Sequence, residues 1–180
     1  MRLIQAGTLS QWRKIRKLYK SAFPGYEQKP FYLIWLTHKK GCADVWVIEE
    51  EGDFSGLAIT MNAGDMVLLD YFAIAEGKRS SGIGGKALRE LQGHYKGKRF
   101  FLEIESVYTQ AENLPERIRR KRFYLSNGMT EMKLMAKVFQ TDMEVLGYNC
   151  TLNFKEYQSV YDQAYGKWVA KNITEITSRA

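Results

Sequence analysis

Two cysteines, two histidines and three prolines are all that the 180 residues contain of these three types. Cys42 and Cys150 lie far apart and make no metal-ligand spacing, and with so few histidines no metal site is expected. Both thiols read as inert, and a reducing cytoplasm is the expected compartment. No run of about 18 apolar residues occurs, which excludes an ordinary membrane-spanning helix. The start, Met-Arg-Leu-Ile-Gln-Ala-Gly-Thr, turns charged without an apolar stretch, so no signal peptide is expected. Repeats, low-complexity tracts and Pro/Gly-rich linkers are also missing. Against those absences stand 45% hydrophobic residues and an ordinary charged fraction of 26%. Such a chain buries a real core rather than remaining disordered, and we expect one domain over residues 1–180.

The net charge of +7 is unevenly spread. Residues 1–40 hold nine Lys/Arg and one acid, and residues 41–77 hold eight acids and no base. Residues 78–101 and 117–137 each carry seven bases against one acid. Alternating blocks suit a protein that meets a polyanion at defined places, and a multiply phosphorylated cofactor is such a polyanion.

Periodicity orders the chain. Arg2 to Gly7 reads as a short strand, followed by a helix capped by Ser10 and carrying Trp12, Ile15, Leu18 and Tyr19 on one side. Phe23-Pro24-Gly25 ends it, and a second helix runs from Phe31 toward Gly41. Two strands, 44–50 and 54–61, face each other across Glu51-Gly52-Asp53. Residues 66–75 form the most apolar strand, as a central, doubly covered strand should. A helix follows over 84–95, a strand over 99–105, a helix over 115–127 closed by Gly128, a hairpin around Gln140-Thr141, and a final helix over 154–176. This order predicts an α/β (α+β) fold: a mixed, mostly antiparallel sheet of about seven strands with helices on both faces.

Between the central strand and its helix stands Arg79-Ser80-Ser81-Gly82-Ile83-Gly84-Gly85. Strand, glycine turn and helix together form a general anion-binding device. Glycines let the backbone approach phosphates, and the first helical N–H groups present partial positive charge. The turn spells neither a Walker A loop nor a Rossmann fingerprint. By itself it reads equally as a tight connection.

Its neighbours narrow the reading. The strand Leu68-Leu69-Asp70-Tyr71-Phe72-Ala73-Ile74 precedes it by five residues, and Arg122-Phe123-Tyr124-Leu125-Ser126-Asn127-Gly128-Met129 follows some 35 residues later. Together these resemble the GNAT acetyltransferase superfamily, with its Gln/Arg-x-x-Gly-x-Gly/Ala turn and later Tyr-x-x-x-Gly-Phe/Met. The likeness spans most of the chain. It is nearest to GNAT proteins with a Leu-Asp-Tyr strand, a Glu-x-Glu strand and an Arg-Lys-x-Phe-Tyr helix. The resemblance implies an acyl-CoA-dependent N-acetyltransferase that uses acetyl-CoA as cosubstrate and no metal. Phe72, Ala73 and Ile74 would carry the backbone that pairs with pantetheine. Arg79, Ser80, Ser81, Gly82, Ile83, Gly84 and Gly85 would contact the pyrophosphate. Lys78, Arg120 and Lys121 are candidates for the outer phosphates. Arg117 and Arg120 depart from the family's usual Asn and Ala, which puts the Asn–pantetheine contact in question.

Acyl transfer to an amine requires a neutral amine, a stabilised oxyanion and a protonated leaving thiolate. Tyr124 is the candidate acid, because a phenol with a pKa of about 10 is protonated at neutral pH; a buried structural tyrosine is the alternative. Glu103 and Glu105 stand two apart, on one face of a strand, and are the candidate bases. The alternatives are an ion pair with a helix arginine for Glu103 and a solvated strand end for Glu105. Asp70 and Trp35 are candidates for acceptor binding, with core packing the competing reading for the tryptophan. The acceptor, a small-molecule or peptide amine, is not identified by the residues, and neither is the oligomeric state, a homodimer included. A non-catalytic CoA-binding protein of the same fold is the runner-up. The basic face Arg13-Lys14-Arg16-Lys17-Lys20 offers nucleic acid its best foothold, yet no helix-turn-helix, RRM or zinc pattern is present, and a nucleic-acid partner is not expected.

Overall fold

In the computed structural model, which describes residues 1–177, the chain alternates between strands and helices. In order these are β1 (Arg2–Gln5), α1 (Leu9–Ala22), α2 (Phe31–Lys39), β2 (Ala43–Glu50), β3 (Asp53–Ala63) and β4 (Met66–Ile74). A 3-10 turn, Glu76–Lys78, leads into α3 (Ile83–His94). There follow β5 (Arg99–Glu105), α4 (Leu114–Ser126), β6 (Thr130–Val138), β7 (Thr141–Tyr148), α5 (Phe154–Tyr165), α6 (Lys167–Lys171) and β8 (Ile173–Glu175). The eight strands make a mostly antiparallel sheet. The expected fold class holds, with one strand more than expected.

Local chemistry explains the departures. The first helix is capped by Thr8, not Ser10. Thr8 Oγ1 accepts from Gln11 N at 3.2 Å, and Gln11 Oε1 accepts from Thr8 N at 2.9 Å. This reciprocal box satisfies two otherwise orphaned donors and contributes about 1 kcal/mol; Ser10 has no such partner three residues on. The expected final helix over 154–176 is instead two helices and a strand. Gly166, at φ +87°, breaks it in a conformation that L side chains rarely adopt. The chain after Gly166 makes one short helical segment and then β8, which pairs with β6 from Ala136↔Glu175 to Val138↔Ile173. The last three residues of the expected domain, 178–180, lie outside the described residues.

Two compact units interleave along the sequence. One comprises residues 1–62 and 69–96, the other residues 63–68 and, among the described residues, 97–177. In the first, strands follow the order β1-β2-β3-β4. Residues of β4 alternate between two clusters, as a period of two requires. Tyr71 and Ala73 pack with Ile15, Leu18, Tyr19 and Ile34 from α1 and α2. Phe72 and Ile74 pack with Ile48 and with Ile83 and Ala87 of α3. Helices therefore cover both faces here. Each fully buried aliphatic or aromatic side chain contributes about 1.5–3 kcal/mol relative to exposure. A buried polar network joins the same unit. The Tyr95 hydroxyl receives Trp46 Nε1–H at 3.1 Å, donates to Asp44 at 2.8 Å, and lies 2.7 Å from Thr60 Oγ1.

In the second unit the order is β5-β7-β6-β8. β5 is paired residue by residue with β7, from Phe100↔Tyr148 to Glu105↔Met143. Arg99, at the start of β5, donates to Asp65 and to Glu156 of α5 at 2.8 and 2.7 Å. Its backbone N–H donates to the Asp65 carbonyl at 2.8 Å. Among the described residues, no helix is long and apolar enough to cross a membrane.

Candidate active site

The candidate residues divide between the two units. In the first, β4 delivers the chain to the glycine turn. Ala75 N donates to Ser55 O, and Lys78 N and Arg79 N donate to Ala75 O and Glu76 O, closing the 3-10 turn. Ser80 and Gly82 both adopt positive φ, at +61° and +80°. Gly82 is the N-cap of α3 and offers no side chain to cap it, and the first turn holds no acid. The first intrahelical bond is Lys86 N to Gly82 O. The N–H groups of Ile83, Gly84 and Gly85 therefore precede the first donor that the helix itself satisfies. An unshielded helix start of this kind fits a pyrophosphate.

The side chains around the turn are used to hold its shape. Arg79 Nε donates to Ile74 O at 3.1 Å, folding the guanidinium back over the end of β4. Ser81 Oγ donates to Lys78 O at 2.7 Å. Lys78 Nζ lies 3.5 Å from Asp53, both side chains substantially exposed, a pairing that solvent weakens. Ile83 is buried against Phe72 and Ile74, so that the residues assigned to pantetheine and to pyrophosphate share one cluster.

Asp70, on the same strand, is already met by a cation. Both of its oxygens accept from Lys29 Nζ, at 2.6 and 2.7 Å, and its side chain is nearly out of solvent. Lys29 lies in the segment between α1 and α2. That segment is pinned by Tyr71, whose hydroxyl donates to Glu27 O at 2.8 Å, and by Tyr19, whose hydroxyl donates to Lys29 O at 3.1 Å. Burial raises the pKa of both phenols above the ordinary tyrosine value. Trp35 sits on the outer side of α2, 45% exposed, with Lys39 Nζ 5.8 Å above its ring. It is not a core residue.

In the second unit the two carboxylates of β5 have different surroundings. Glu103 is partly buried, and its two oxygens accept from the hydroxyls of Tyr157 and Tyr161, one each. The tyrosines stand four apart on α5, so one helix face delivers both. Glu105 is 3% exposed. It accepts from Arg117 Nη2 at 2.7 Å, Arg120 Nη1 at 3.3 Å and Asn113 Nδ2 at 3.4 Å. The buried arginine pair belongs to Glu105 rather than Glu103, and Glu105 does not end in solvent. Arg117 also donates to Ser106 O and Asn113 Oδ1, and so ties the start of α4 to the end of β5.

Tyr124 lies two turns further along α4, 8% exposed. Burial pushes its pKa up to about 12, with Arg120 opposing the shift. Among the described residues nothing is hydrogen-bonded to its hydroxyl. The helix closes just beyond it, where Asn127 N and Met129 N donate to Tyr124 O and Gly128 takes φ +89°. Lys121 is engaged elsewhere: its ammonium lies 2.6 Å from Glu144 and 3.0 Å from Glu131, and 5.0 Å from the Tyr108 ring centroid.

Sequence reasoning missed Lys29, Tyr157 and Tyr161. The two tyrosines left a signal, a spacing of four on an amphipathic helix. Lys29, a lone base between helices, left none.

Three comparisons bear on this geometry. The Acetyltransferase (GNAT) family profile matches residues 12–126, more than half of the chain, so this protein belongs to that family. It is an acyl-CoA-dependent N-acetyltransferase, of a family that uses acetyl-CoA and acts on amine acceptors. No curated protein matches the sequence. Among solved structures, a protein from Bacteroides thetaiotaomicron assigned to the GNAT acetyltransferases is similar in fold, with 19% identity and a TM-score of 0.76, over 93% of this chain and 99% of that one. The ribosomal-protein-S18-alanine N-acetyltransferase of Escherichia coli is similar at 15% identity and a TM-score of 0.63, over 84% and 95% of the two chains. A Bacillus subtilis acetyltransferase in complex with CoA is similar at 11% identity and a TM-score of 0.62, over 83% and 98%.

Proposed function

We propose that the whole chain acts as one GNAT domain that moves the acetyl group of acetyl-CoA to a primary amine, on a small molecule or peptide, by direct attack in a ternary complex. The observation that carries this reading is the Tyr124 phenol: buried, held protonated by its surroundings, and bonded to nothing else among the described residues. A proton donor kept in that state has its hydrogen available for a ligand.

Acetyl-CoA supplies an activated acyl carbon on a thioester. The helix start at Ile83, Gly84 and Gly85 holds the pyrophosphate, aided by the Arg79–Ser80–Ser81–Gly82 turn. The backbone of Phe72, Ala73 and Ile74 aligns the pantetheine arm. Lys78 and Arg120, paired with Asp53 and Glu105 but with side chains still 41% and 42% exposed, are the cations assigned to the outer phosphates. Lys121, whose charge is met by two glutamates, is left out of that set. As the amine nitrogen bonds to the acyl carbon and the C–S bond breaks, Glu103 takes the surplus amine proton, directly or through water. Tyr124 gives its own proton to the sulfur. Glu105, occupied by two guanidiniums, is assigned to positioning α4, and Asp70 with Trp35 to the acceptor side.

The test is Tyr124→Phe in an amine-panel assay that follows thiol release from acetyl-CoA. A loss of about 10²–10⁴ in kcat with CoA affinity retained is expected. Unchanged thiol release with a true acceptor would overturn the acid role, and failure of the unaltered protein to bind CoA would overturn the whole reading.

A further inference from the structure

The first unit carries a second concentration of positive charge that acetyl transfer does not use. Arg13, Lys14, Arg16, Lys17 and Lys20 are all exposed on α1, and none forms an ion pair among the described residues. Residues 13, 16, 17 and 20 follow the i, i+3, i+4, i+7 spacing of a single stripe. The 14 residues of the helix contain no acid to offset them. Five pairs (13/16, 13/17, 14/17, 16/20 and 17/20) place like charges one turn apart, each weakening the helix. A bound polyanion removes that repulsion.

The neighbouring helix supplies a second, different observation. α1 and α2 pack on the same cluster over the sheet, and Trp12 and Tyr19 of α1 both meet Phe31 of α2, at 6.0 and 5.6 Å. Trp12 also meets His38, at 5.4 Å, so the helices run side by side. Their outer faces both point away from that cluster. On α2 this outer face presents Tyr32 and Trp35, 63% and 45% exposed, with Lys39 beside the indole.

We propose that, although the sequence spells no nucleic-acid motif, the outer faces of α1 and α2 dock a segment of single-stranded nucleic acid, with the α1 cations on phosphates and Tyr32 stacked on a base. Cations interleaved with open aromatic faces are the chemistry of single-strand binding. A duplex keeps its bases stacked on one another and offers these rings little. An acidic peptide would engage the cations and leave the aromatics idle. An anionic bilayer would attract α1, but the apolar stripe that would enter it, Ile15, Leu18 and Tyr19, is buried in the core. The stripe from Arg13 to Lys20 is about 10 Å long, a few phosphates at most. No sequence preference follows.

The test is fluorescence anisotropy with a labelled 12-nucleotide oligouridylate, measured from 50 to 200 mM salt. Competitors are duplex DNA, an oligoglutamate peptide and phosphatidylserine-containing vesicles. For single strands, log K falls with log salt by about 0.7 per phosphate neutralised, so about three phosphates give an expected slope of about −2. The variant Arg16→Gln/Lys17→Gln/Lys20→Gln should lose most of that slope, while keeping the CoA affinity of the parent and a melting temperature no lower than the parent's. Tyr32→Ala should weaken binding about tenfold or more. Absence of binding at 50 mM salt, an unchanged slope in the triple variant, or preference for peptide, duplex or vesicles would each overturn the proposal. The assay contains no acetyl-CoA, so its outcome is separate from that of the acetyl-transfer reading.

Discussion

Arg117 and Glu105 are joined at 2.7 Å with side chains only 11% and 3% exposed, and this pair fastens α4, which carries Tyr124, to the end of β5. Breaking a buried pair from one side leaves a carboxylate stranded in a poor solvent. Arg117→Met is therefore expected to cost about 3 kcal/mol of stability, part of the loss being offset by Arg120 and Asn113. Urea unfolding measures it. The same variant should lower kcat by shifting Tyr124, whereas Glu105→Gln, which keeps the shape and can still accept, should be milder on both counts.

Tyr124→Phe should separate chemistry from stability. The hydroxyl it removes has no partner among the described residues, so the unfolding free energy should change by less than about 1 kcal/mol, or rise. A tyrosine pKa raised to about 12 stabilises the fold below the unfolded value of 10.0 and loses that contribution as pH climbs through the raised value. Tyr19, Tyr71 and Tyr95 are shifted in the same direction by burial. Spectrophotometric titration should thus show a group of the 11 tyrosines ionising above pH 10, together with alkaline unfolding. Titration of all of them near the ordinary value would contradict the burial.

At the acid end the expected window is equally defined. Glu156 is held below its ordinary 4.5 by the Asn153 backbone N–H first and by Arg99 second. Asp65 is held low by Arg99, and Glu50 by the chain's amino terminus. Carboxyls with lowered values stabilise the fold above their unfolded pKa and lose that contribution as pH falls through the folded one. Stability should decline below about pH 4.5. Glu156→Gln should flatten that decline in a series of thermal melts.

Lys29→Met tests the acceptor side. It removes the ammonium that lies on both Asp70 oxygens, at an expected cost of about 2–4 kcal/mol. If Asp70 recognises a cationic amine, the variant should also change KM for that amine more than kcat. An effect on stability alone would make the pair purely structural.

Gly82→Ala tests the turn. An added Cβ meets open space, so the cost is conformational, about 1 kcal/mol for a non-glycine residue at φ +80°. CoA affinity should fall more than stability, because the backbone that approaches the phosphates is what changes. Calorimetric titration with CoA reads the first and thermal melting the second.

Much of the fold was legible in the residues themselves. The apolar run over residues 66–75 placed the strand that is covered on both faces, with Phe72 and Ile74 on one side and Tyr71 and Ala73 on the other. Gly128 takes the positive φ that its place as the helix-closing residue suggested. The cap was not: Ser10 is the residue the sequence pointed to, and Thr8 caps the helix because Gln11, three residues on, reaches back to it. The apolar periodicity after Phe154 continued across Gly166, yet the chain turned there and gained β8 by pairing with β6. Strand pairing of that kind depends on a partner 35 or more residues away, which periodicity cannot register.

Sequence alone determined most element types up to Tyr148, the glycine turn, the family likeness and the candidate acid, since these depend on residues close together along one chain. Tertiary structure decided which charges meet. It put Lys29 on Asp70, two tyrosines on Glu103, two arginines on Glu105 and two glutamates on Lys121. It also left the Tyr124 hydroxyl and the α1 cations without protein partners among the described residues. Ion pairs and hydrogen bonds are set by proximity in space, and the pattern of one residue type along the chain does not carry that information.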